Sequence, residues 1–477
     1  MNAQYIKSRV PLCLLAWCVL ATCPTLAQTI THVPLFTFDG DSADDLFGYS
    51  VSGAGDVNGD GAPDLIVGGF GIGEIFGYAR VFSGADGSVL YTFNGGSGFD
   101  HFGLSVSGAG DVNGDGFDDL IVGAPGDDNN GLTSGSARVF SGADGSVLYN
   151  LDRSGLLGFG SSVSSAGDVN GDGVLDLIVG ASGDDNVVGS ARVFSGVDGS
   201  VLHTFVGNSA GDNFGRSVSD AGDVNGDGFG DLIVGAMTDA TNGRDSGNAK
   251  VFSGADGSVL YNFDFDDISF GDLFGSSVSS AGDVNGDGFA DVIVGALSDR
   301  NNGSASGSAR VLSGADGSVL YIFNGAIAFT NFGWSVSGLG DVNGDGVPDL
   351  IVGGSGTAGV FSSADGSALY NFRGDFSRDR FGASVSGVGD VNGDGLADFI
   401  VGASEGGAND GGYAKLFVSQ ITILGDCNLD GIVDFLDIQH FIAILSFATF
   451  FEQADCNEDG IVDFLDVGPF IAILAAQ

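Results

Sequence analysis

The clearest hydrophobic signal along the chain is a short apolar run closed by small residues, Leu120-Ile121-Val122-Gly123-Ala124-Pro125. A run this short, without polar interruptions and ended by Gly and Pro, predicts a strand buried on both faces. Ahead of it lie Phe102-Gly103, a strand through Ser105-Val106-Ser107, and an acidic loop from Asp111 to Asp119. After it come a polar loop, 126–136, and a second apolar stretch, Ala137-Arg138-Val139-Phe140. Ser141-Gly142-Ala143-Asp144-Gly145 then makes a tight reversal into Ser146-Val147-Leu148-Tyr149, which is a hairpin signal. Four short antiparallel strands result, with no helical period among them. The unit recurs: its acidic loop begins at Asp56, Asp111, Asp168, Asp223, Asp283, Asp341 and Asp390, at steps of 49 to 60 residues. Seven repeats of this size predict an all-β fold, a seven-bladed β-propeller of four-stranded antiparallel blades over residues 28–420.

The repeated loop reads D-x-N-x-D-G-x-x-D and carries the candidate chemistry. A hard cation such as Ca²⁺ takes six or more oxygen ligands at about 2.3–2.6 Å. Asp56, Asn58 and Asp60 present oxygens at loop positions one, three and five. The Ala62 carbonyl at position seven and the Asp64 carboxylate at position nine close the shell, with Gly61 at the sharp turn. The second and third copies supply Asp111, Asn113, Asp115 and Asp119, then Asp168, Asn170, Asp172 and Asp176. The fourth and fifth supply Asp223, Asn225, Asp227 and Asp231, then Asp283, Asn285, Asp287 and Asp291. The last two supply Asp341, Asn343, Asp345 and Asp349, then Asp390, Asn392, Asp394 and Asp398. Asp, Asn and Gly are also ordinary turn residues, so an Asx-type turn is the competing reading of any one copy. A turn does not need three clustered carboxylates, which repel unless a cation neutralises them. Seven copies that keep all three favour Ca²⁺.

Composition narrows the partners. The 477 residues carry a formal net charge of −47, which argues against nucleic acid and anionic membrane surfaces. The ligand positions of the seven loops hold 21 of the 62 acidic residues, so much of this charge is local. With 43% hydrophobic residues, 86 glycines and 16% charged residues, the chain is not a disordered acidic tail. Lys7 and Arg9 precede an apolar run, 12–21, and Thr25-Leu26-Ala27 sets small residues at a cut after Ala27. Residues 1–27 read as a secretory signal peptide, with a lipoprotein cut before Cys23 as the less fitting alternative. Secretion or cell-surface display is expected, with no membrane insertion after cleavage, since no other apolar run is long enough to cross a bilayer. Three of five cysteines lie in the leader; Cys427 and Cys456 remain, so disulfides do not make this fold.

The Phe-Gly opening, the Gly-Ala-Pro close and the acidic loop between them resemble FG-GAP repeats, the blades of the integrin α-subunit β-propeller. Phe-Gly recurs at Phe47, Phe159, Phe214, Phe274, Phe332 and Phe381, whereas Gly-Ala-Pro is whole only at Gly123. The resemblance covers nearly all of residues 32–420 and implies calcium in the repeated loops. The seventh repeat reaches Ala414-Lys415-Leu416-Phe417 but lacks the final hairpin and strand. Val33-Pro34-Leu35-Phe36-Thr37-Phe38 resembles that missing strand and is expected to complete the last blade. Strand parity then places every acidic loop on one face. The varied loops, such as 126–130, 238–242 and 299–302, fall on the other, where any ligand recognition is expected.

A second module is read over 425–477. A twelve-residue loop starting at Asp426 offers Asp426, Asn428, Asp430, Asp434 and Asp437, followed by a helix, 435–445. The pattern returns with Asp455, Asn457, Asp459, Asp463 and Asp466 and a second helix, bringing the calcium sites to as many as nine. Paired loop–helix units of this kind resemble a dockerin domain, a small α-helical module. That resemblance implies docking to a cohesin-like or surface protein. Phe435-Leu436 and Phe464-Leu465 stand where cellulosomal dockerins often carry polar, partner-reading residues. They are read either as the module's own core or as an altered docking face. Cys427 and Cys456 are either one disulfide or spare small residues.

Three signals are discounted. Arg373-Gly374-Asp375 is an RGD tripeptide in a chain rich in Gly and Asp. Gly402-Ala403-Ser404-Glu405-Gly406 matches G-x-S-x-G but occupies the Gly-Ala-Pro position of the seventh repeat, not a strand-to-helix turn. His32, His101, His203 and His440 form no metal or triad spacing, and His203 replaces the tyrosine of a fourth strand. No catalytic constellation is found, so the chain is not read as an enzyme. The reading is a calcium-binding propeller for binding or adhesion, anchored through its C-terminus. The alternative is a glycan-binding or carbohydrate-active component of an extracellular assembly. Clustered aromatics on the varied face would favour a glycan partner, and those loops read instead as polar and glycine-rich.

Overall fold

The computed structural model describes residues 28–423, apart from 130, 153–157, 184–186, 242–244, 265–270, 377 and 408–409; of 28, 29 and 421–423 it describes the backbone alone. Residues 1–27, read as a signal peptide, and 425–477, read as paired loop–helix units with ten candidate ligand residues and with Cys427 and Cys456, lie outside the described residues. Val33–Ser419 is one compact unit, and the remaining residues are assigned to another.

Seven four-stranded sheets follow one another, and six of them are built from strands consecutive in sequence. Blade one consists of Ser50–Gly55, Asp64–Gly69, Tyr78–Phe82 and Val89–Asn94, each pairing antiparallel with the next. The seventh sheet has the order Gln28–Asp39, Tyr413–Ile423, Asp398–Ala403, Phe381–Gly389. The N-terminal strand is thus the outer strand of the last blade, as its likeness to a fourth strand implied. Closing the ring in this way protects the edge of Tyr413–Ile423.

The second strand of each blade is buried along its whole length, as in Asp64–Gly69 and Asp231–Ala236. The core therefore lies between blades. Ile66, Ala79 and Val81 of blade one pack with Phe102, Val106, Leu120 and Phe140 of blade two. Across the closure, Phe38, Phe47, Val51 and Leu65 pack with Val388, Ile400 and Leu416. Phe38 stacks on Phe82 with ring centroids 4.1 Å apart, matching Phe93 on Phe140 at 4.0 Å inside the ring.

The Phe-Gly and Gly-Ala elements meet across blades. A side chain on Gly402 would bring a Cβ to 2.0 Å from the Gly48 carbonyl oxygen, so only glycine allows the next blade's Phe-Gly turn so close. The Ser-Val-Ser strands form a second ring of contacts. Ser50 Oγ accepts from Val106 N at 3.0 Å, Ser105 Oγ from Val163 N at 2.9 Å, and Ser162 Oγ from Val218 N at 3.1 Å. Ser217, Ser277 and Ser335 accept from Val278, Val336 and Val385 in turn, and Ser384 closes the circle on Val51. Each blade is thereby tied to the next around the inner strands by one side chain.

Candidate metal centres and the opposite face

Each acidic loop joins an inner strand to a second strand. Its position-nine aspartate is the first residue of that second strand, so the chain enters the core at the carboxylate. Asp64, Asp119, Asp176, Asp231, Asp291, Asp349 and Asp398 are all fully buried. Asp231 shows the common geometry. One oxygen accepts from Val224 N at 2.9 Å, within the loop, and the other from Gly254 N at 3.0 Å, in the later hairpin turn. The carboxylate therefore ties loop to hairpin. The same pair of bonds holds Asp64, Asp119, Asp176 and Asp291, and in blade seven Asp398 accepts from Val391 N and, in place of a hairpin amide, from Ser419 N of the strand Tyr413–Ile423.

Burial pushes six of these carboxyls up to about 6, opposed mainly by the backbone donors and assisted by neighbouring loop aspartates. Asp349 goes to about 7, again through burial. Ser363 stands in its hairpin where five other blades have glycine at this bond, and its N–H lies 3.4 Å away rather than about 2.9–3.0 Å. The weaker bond stabilises the anion less.

Positions one, three and five curl around the loop's own backbone. Asp223 Oδ1 accepts from Gly226 N at 2.7 Å and Asp227 N at 3.1 Å, while Oδ2 accepts from Gly228 N at 2.9 Å. Asn225 Oδ1 accepts from Asp227 N at 2.9 Å, and Asp227 Oδ1 from Phe229 N at 3.0 Å. Gly226 and Gly228 have φ of 75° and 87°, the left-handed angles this winding demands. The structure thus brings all four oxygen-bearing side chains of every repeat into one loop on one face. Among the described residues no three carboxylate, imidazole or thiol groups converge as a metal-holding cluster. The loop's remaining oxygens are the position-three amide and backbone carbonyls.

The opposite face carries residues that sequence reasoning missed. An aspartate stands two residues before Phe-Gly in five repeats: Asp45, Asp100, Asp212, Asp272 and Asp379, all buried. Asp212 accepts from Asn208 N, Ser209 N and Phe214 N at 2.9–3.2 Å, stapling the blade-to-blade connector. Asp379 does the same for Phe376 N and also accepts from Tyr413 Oη at 2.6 Å. The D-x-F-G spacing was the available signal, hidden by the abundance of aspartate. This face is also less polar than the loop sequences implied. Phe76, Phe99, Phe329 and Phe376 are at least half exposed on its loops.

Both Asp375 oxygens of the RGD tripeptide engage Lys415 Nζ at 2.7 Å. Ser404 is buried just past its strand and no helix follows. His203 Nε2 contacts the Gly254 carbonyl at 2.6 Å, as Tyr261 Oη contacts Gly314 at 2.6 Å, so the imidazole does the tyrosine's task. Among the described residues no helix is long and apolar enough to cross a membrane.

A family model described as FG-GAP repeat matches residues 102–140, 159–201, 214–252, 274–312, 332–369 and 381–417. The chain is 35% identical to integrin alpha-5 of Xenopus laevis over 212 residues, covering 41% of this chain and 20% of that protein. It is 27% identical to integrin alpha-4 of Xenopus laevis over 252 residues, covering 50% of this chain and 23% of the relative. Against integrin alpha-V of Gallus gallus the identity is 30% over 211 residues, with 41% and 20% covered. The chain spans about a fifth of the length of these relatives.

Proposed function

We propose, from the premise that this ring is an integrin-like FG-GAP β-propeller, that the protein is a secreted binding or adhesion module with a division of labour between its faces. Calcium in the seven acidic loops stiffens one face. The opposite face recognises a protein partner. The observation that carries this reading is the contrast in the repeats themselves: seven near-identical oxygen-rich loops at one end of the strands, and loops of differing length and sequence at the other.

The loop residues suit a hard cation. Aspartates at positions one, five and nine and asparagine at position three supply only oxygen donors through their carboxylate and carbonyl atoms, the ligand type Ca²⁺ prefers. The exposed position-five carboxylates, such as Asp60 and Asp227, are open to an ion from solvent. A bound divalent cation would offset two of the three negative charges of each loop in a chain of net charge −47. The C-terminal residues 425–477, through their resemblance to a dockerin, would anchor the propeller to a surface or a larger assembly.

The test is a thermal melt and a calcium titration of the secreted chain, followed by capture of partners on cell-surface fractions in calcium and in EGTA. Calcium should raise the melting temperature and capture should require it. An unchanged melt in EGTA would make the loops turns only. Removing 425–477 should abolish anchoring while leaving the propeller's own capture intact. A second reading, glycan recognition, is favoured by the exposed phenylalanines of the varied face.

A further inference from the structure

Blade six departs from the other blades at three positions that share one place in the fold. The loop between its second and third strands is two residues, Ser355 and Gly356, against six to eleven elsewhere. Its third strand reads Thr-Ala-Gly-Val-Phe, so Gly359 stands where the other blades carry Arg or Lys. Thr330 stands two residues before its Phe-Gly, where five blades carry the buried aspartate.

Those three positions meet at one ring. In four blades the third-strand cation lies over the Phe-Gly phenylalanine: Arg80 over Phe47, Arg138 over Phe102, Lys250 over Phe214 and Arg310 over Phe274, at 5.4–5.9 Å. Such a cation is held to the ring face by the ring quadrupole. In blade five the long loop also reaches down, with Asn301 and Asn302 donating to Asn324 Oδ1 and Gly325 O at 2.8 and 2.9 Å. Blade six has neither the cation nor the long loop. The Phe361 ring leans into part of the space, its Cε2 lying 2.9 Å from where a Gly359 Cβ would be. What remains is a cavity of about 720 Å³.

We propose that this cavity is a binding site for an anionic sugar unit. It deepens the reading of the propeller as a binding module and rests on it. Its volume falls inside the range of about 300–1,000 Å³ occupied by small-ligand sites. Phe332 and Phe361 give it an aromatic wall, and Ile327, 66% exposed, stands at its edge. Asn324, Asn371 and Ser355 offer amide and hydroxyl groups of the kind that read sugar hydroxyls. Arg373 brings the only formal charge among the lining residues, and no described carboxylate forms an ion pair with it. In a chain of net charge −47, a cavity with one cation and no acid selects a ligand that carries the complementary negative charge. A planar guanidinium pairs with carboxylate or sulfate through two parallel hydrogen bonds.

The full chain allows a direct readout. Trp334 is the single tryptophan outside the leader and lies two residues from Phe332. Its fluorescence would be titrated with a galacturonate trimer, a sulfated disaccharide and a neutral glucose trimer, with calorimetry in parallel. An anionic probe should bind and the neutral one should not. Binding of the uronate or of the sulfate alone identifies the source of the charge. Arg373→Gln should weaken binding by about tenfold to a hundredfold, the loss of one charged hydrogen-bonding partner. Gly359→Arg should abolish it by restoring the sister-blade cation over Phe332, and a normal melt would show the ring intact. Equal binding of the neutral sugar, an indifferent Arg373→Gln, or no response to any probe overturns the proposal. Partner capture by the same variants separates this site from the wider reading. Failed sugar binding with capture intact defeats only the sugar site, and lost capture with sugar bound defeats only the protein-adhesion reading.

Discussion

The two faces of the ring are built from the same repeats under opposite constraints. At one end every loop reads D-x-N-x-D-G-x-x-D, and every position-nine carboxylate bonds a loop amide and a second amide, from the hairpin in six blades and from the strand residue Ser419 in the seventh. At the other end the commonest repeated anchor is the buried aspartate of D-x-F-G, three blades add a second at Asp127, Asp239 and Asp299, and beyond these the connectors differ in length, charge and exposure. Blade six gives up even the anchor. The difference shows where the fold is held. The acidic loops are part of the scaffold, whereas the far loops are fastened at their base and free at their tips, as functional loops on a rigid frame commonly are.

The sharpest way to break this contrast is at position nine. Asp231→Ala removes the acceptor of two buried amides, Val224 N and Gly254 N. Each buried donor left unsatisfied costs about 1–3 kcal/mol, so the variant should lose several kcal/mol. The loss should persist in EDTA, measured by denaturant unfolding. If it vanishes there, the carboxylate is a cation ligand alone and not a structural tie.

A smaller effect concerns pH. Without a cation, burial holds six of the position-nine carboxyls at about 6 and Asp349 at about 7, above the unfolded value near 3.8. The folded state then binds more protons than the unfolded one between those values. Protonation contributes stability that is complete below about 3.8 and lost as pH rises through about 6. In EDTA the melting temperature should therefore be higher at pH 5 than at pH 7.5. Saturating calcium should reverse the trend, because an ion binds the ionised carboxylates and competes with protons. A melt in EDTA that falls on acidification would contradict the buried, unpaired state of these acids.

The serine ring predicts a still smaller change. Ser217→Ala deletes the acceptor of Val278 N, worth about 1 kcal/mol. Ser50→Ala, in a distant blade, should add to it within about 0.5 kcal/mol, since each bond joins only neighbouring blades. Strong coupling between the two would mean that the inner ring acts as one unit.

How much of this was legible beforehand follows from what each signal depends on. The strands, the acidic loops and the closure by residues 33–38 are local patterns of apolar runs, glycines and spacing, and they read directly. The D-x-F-G anchor was present in the letters but indistinguishable from turn chemistry, because its role depends on burial under a connector. The serines of Ser-Val-Ser read as polar strand positions, since their partners sit in the next blade. The short step from Asp341 to Asp390 announced a deletion in blade six. Its consequence, a cavity, depends on knowing that a third-strand cation elsewhere covers a phenylalanine. Non-local contacts of this kind leave no periodic trace.

The smallest stability effect should come from the far face, and Phe329 is the place to measure it. This side chain is 70% exposed and its backbone sits at φ 65°, a left-handed angle that a bulky residue rarely adopts. Its N–H is already bonded to the Ser304 carbonyl at 2.9 Å, so the backbone is held by a contact independent of the ring. Phe329→Asn keeps that bond and places a residue that tolerates the left-handed region, so stability should be unchanged or rise by up to about 1 kcal/mol. Capture of a partner should fall, because an exposed aromatic is lost from the connector that also carries Ile327 and Thr330 of the blade-six cavity. A gain in stability with weakened capture would mark Phe329 as a residue kept for contact at some cost to the fold. A loss of more than about 1 kcal/mol would instead assign this connector to the scaffold and erase the distinction between the two faces at this point.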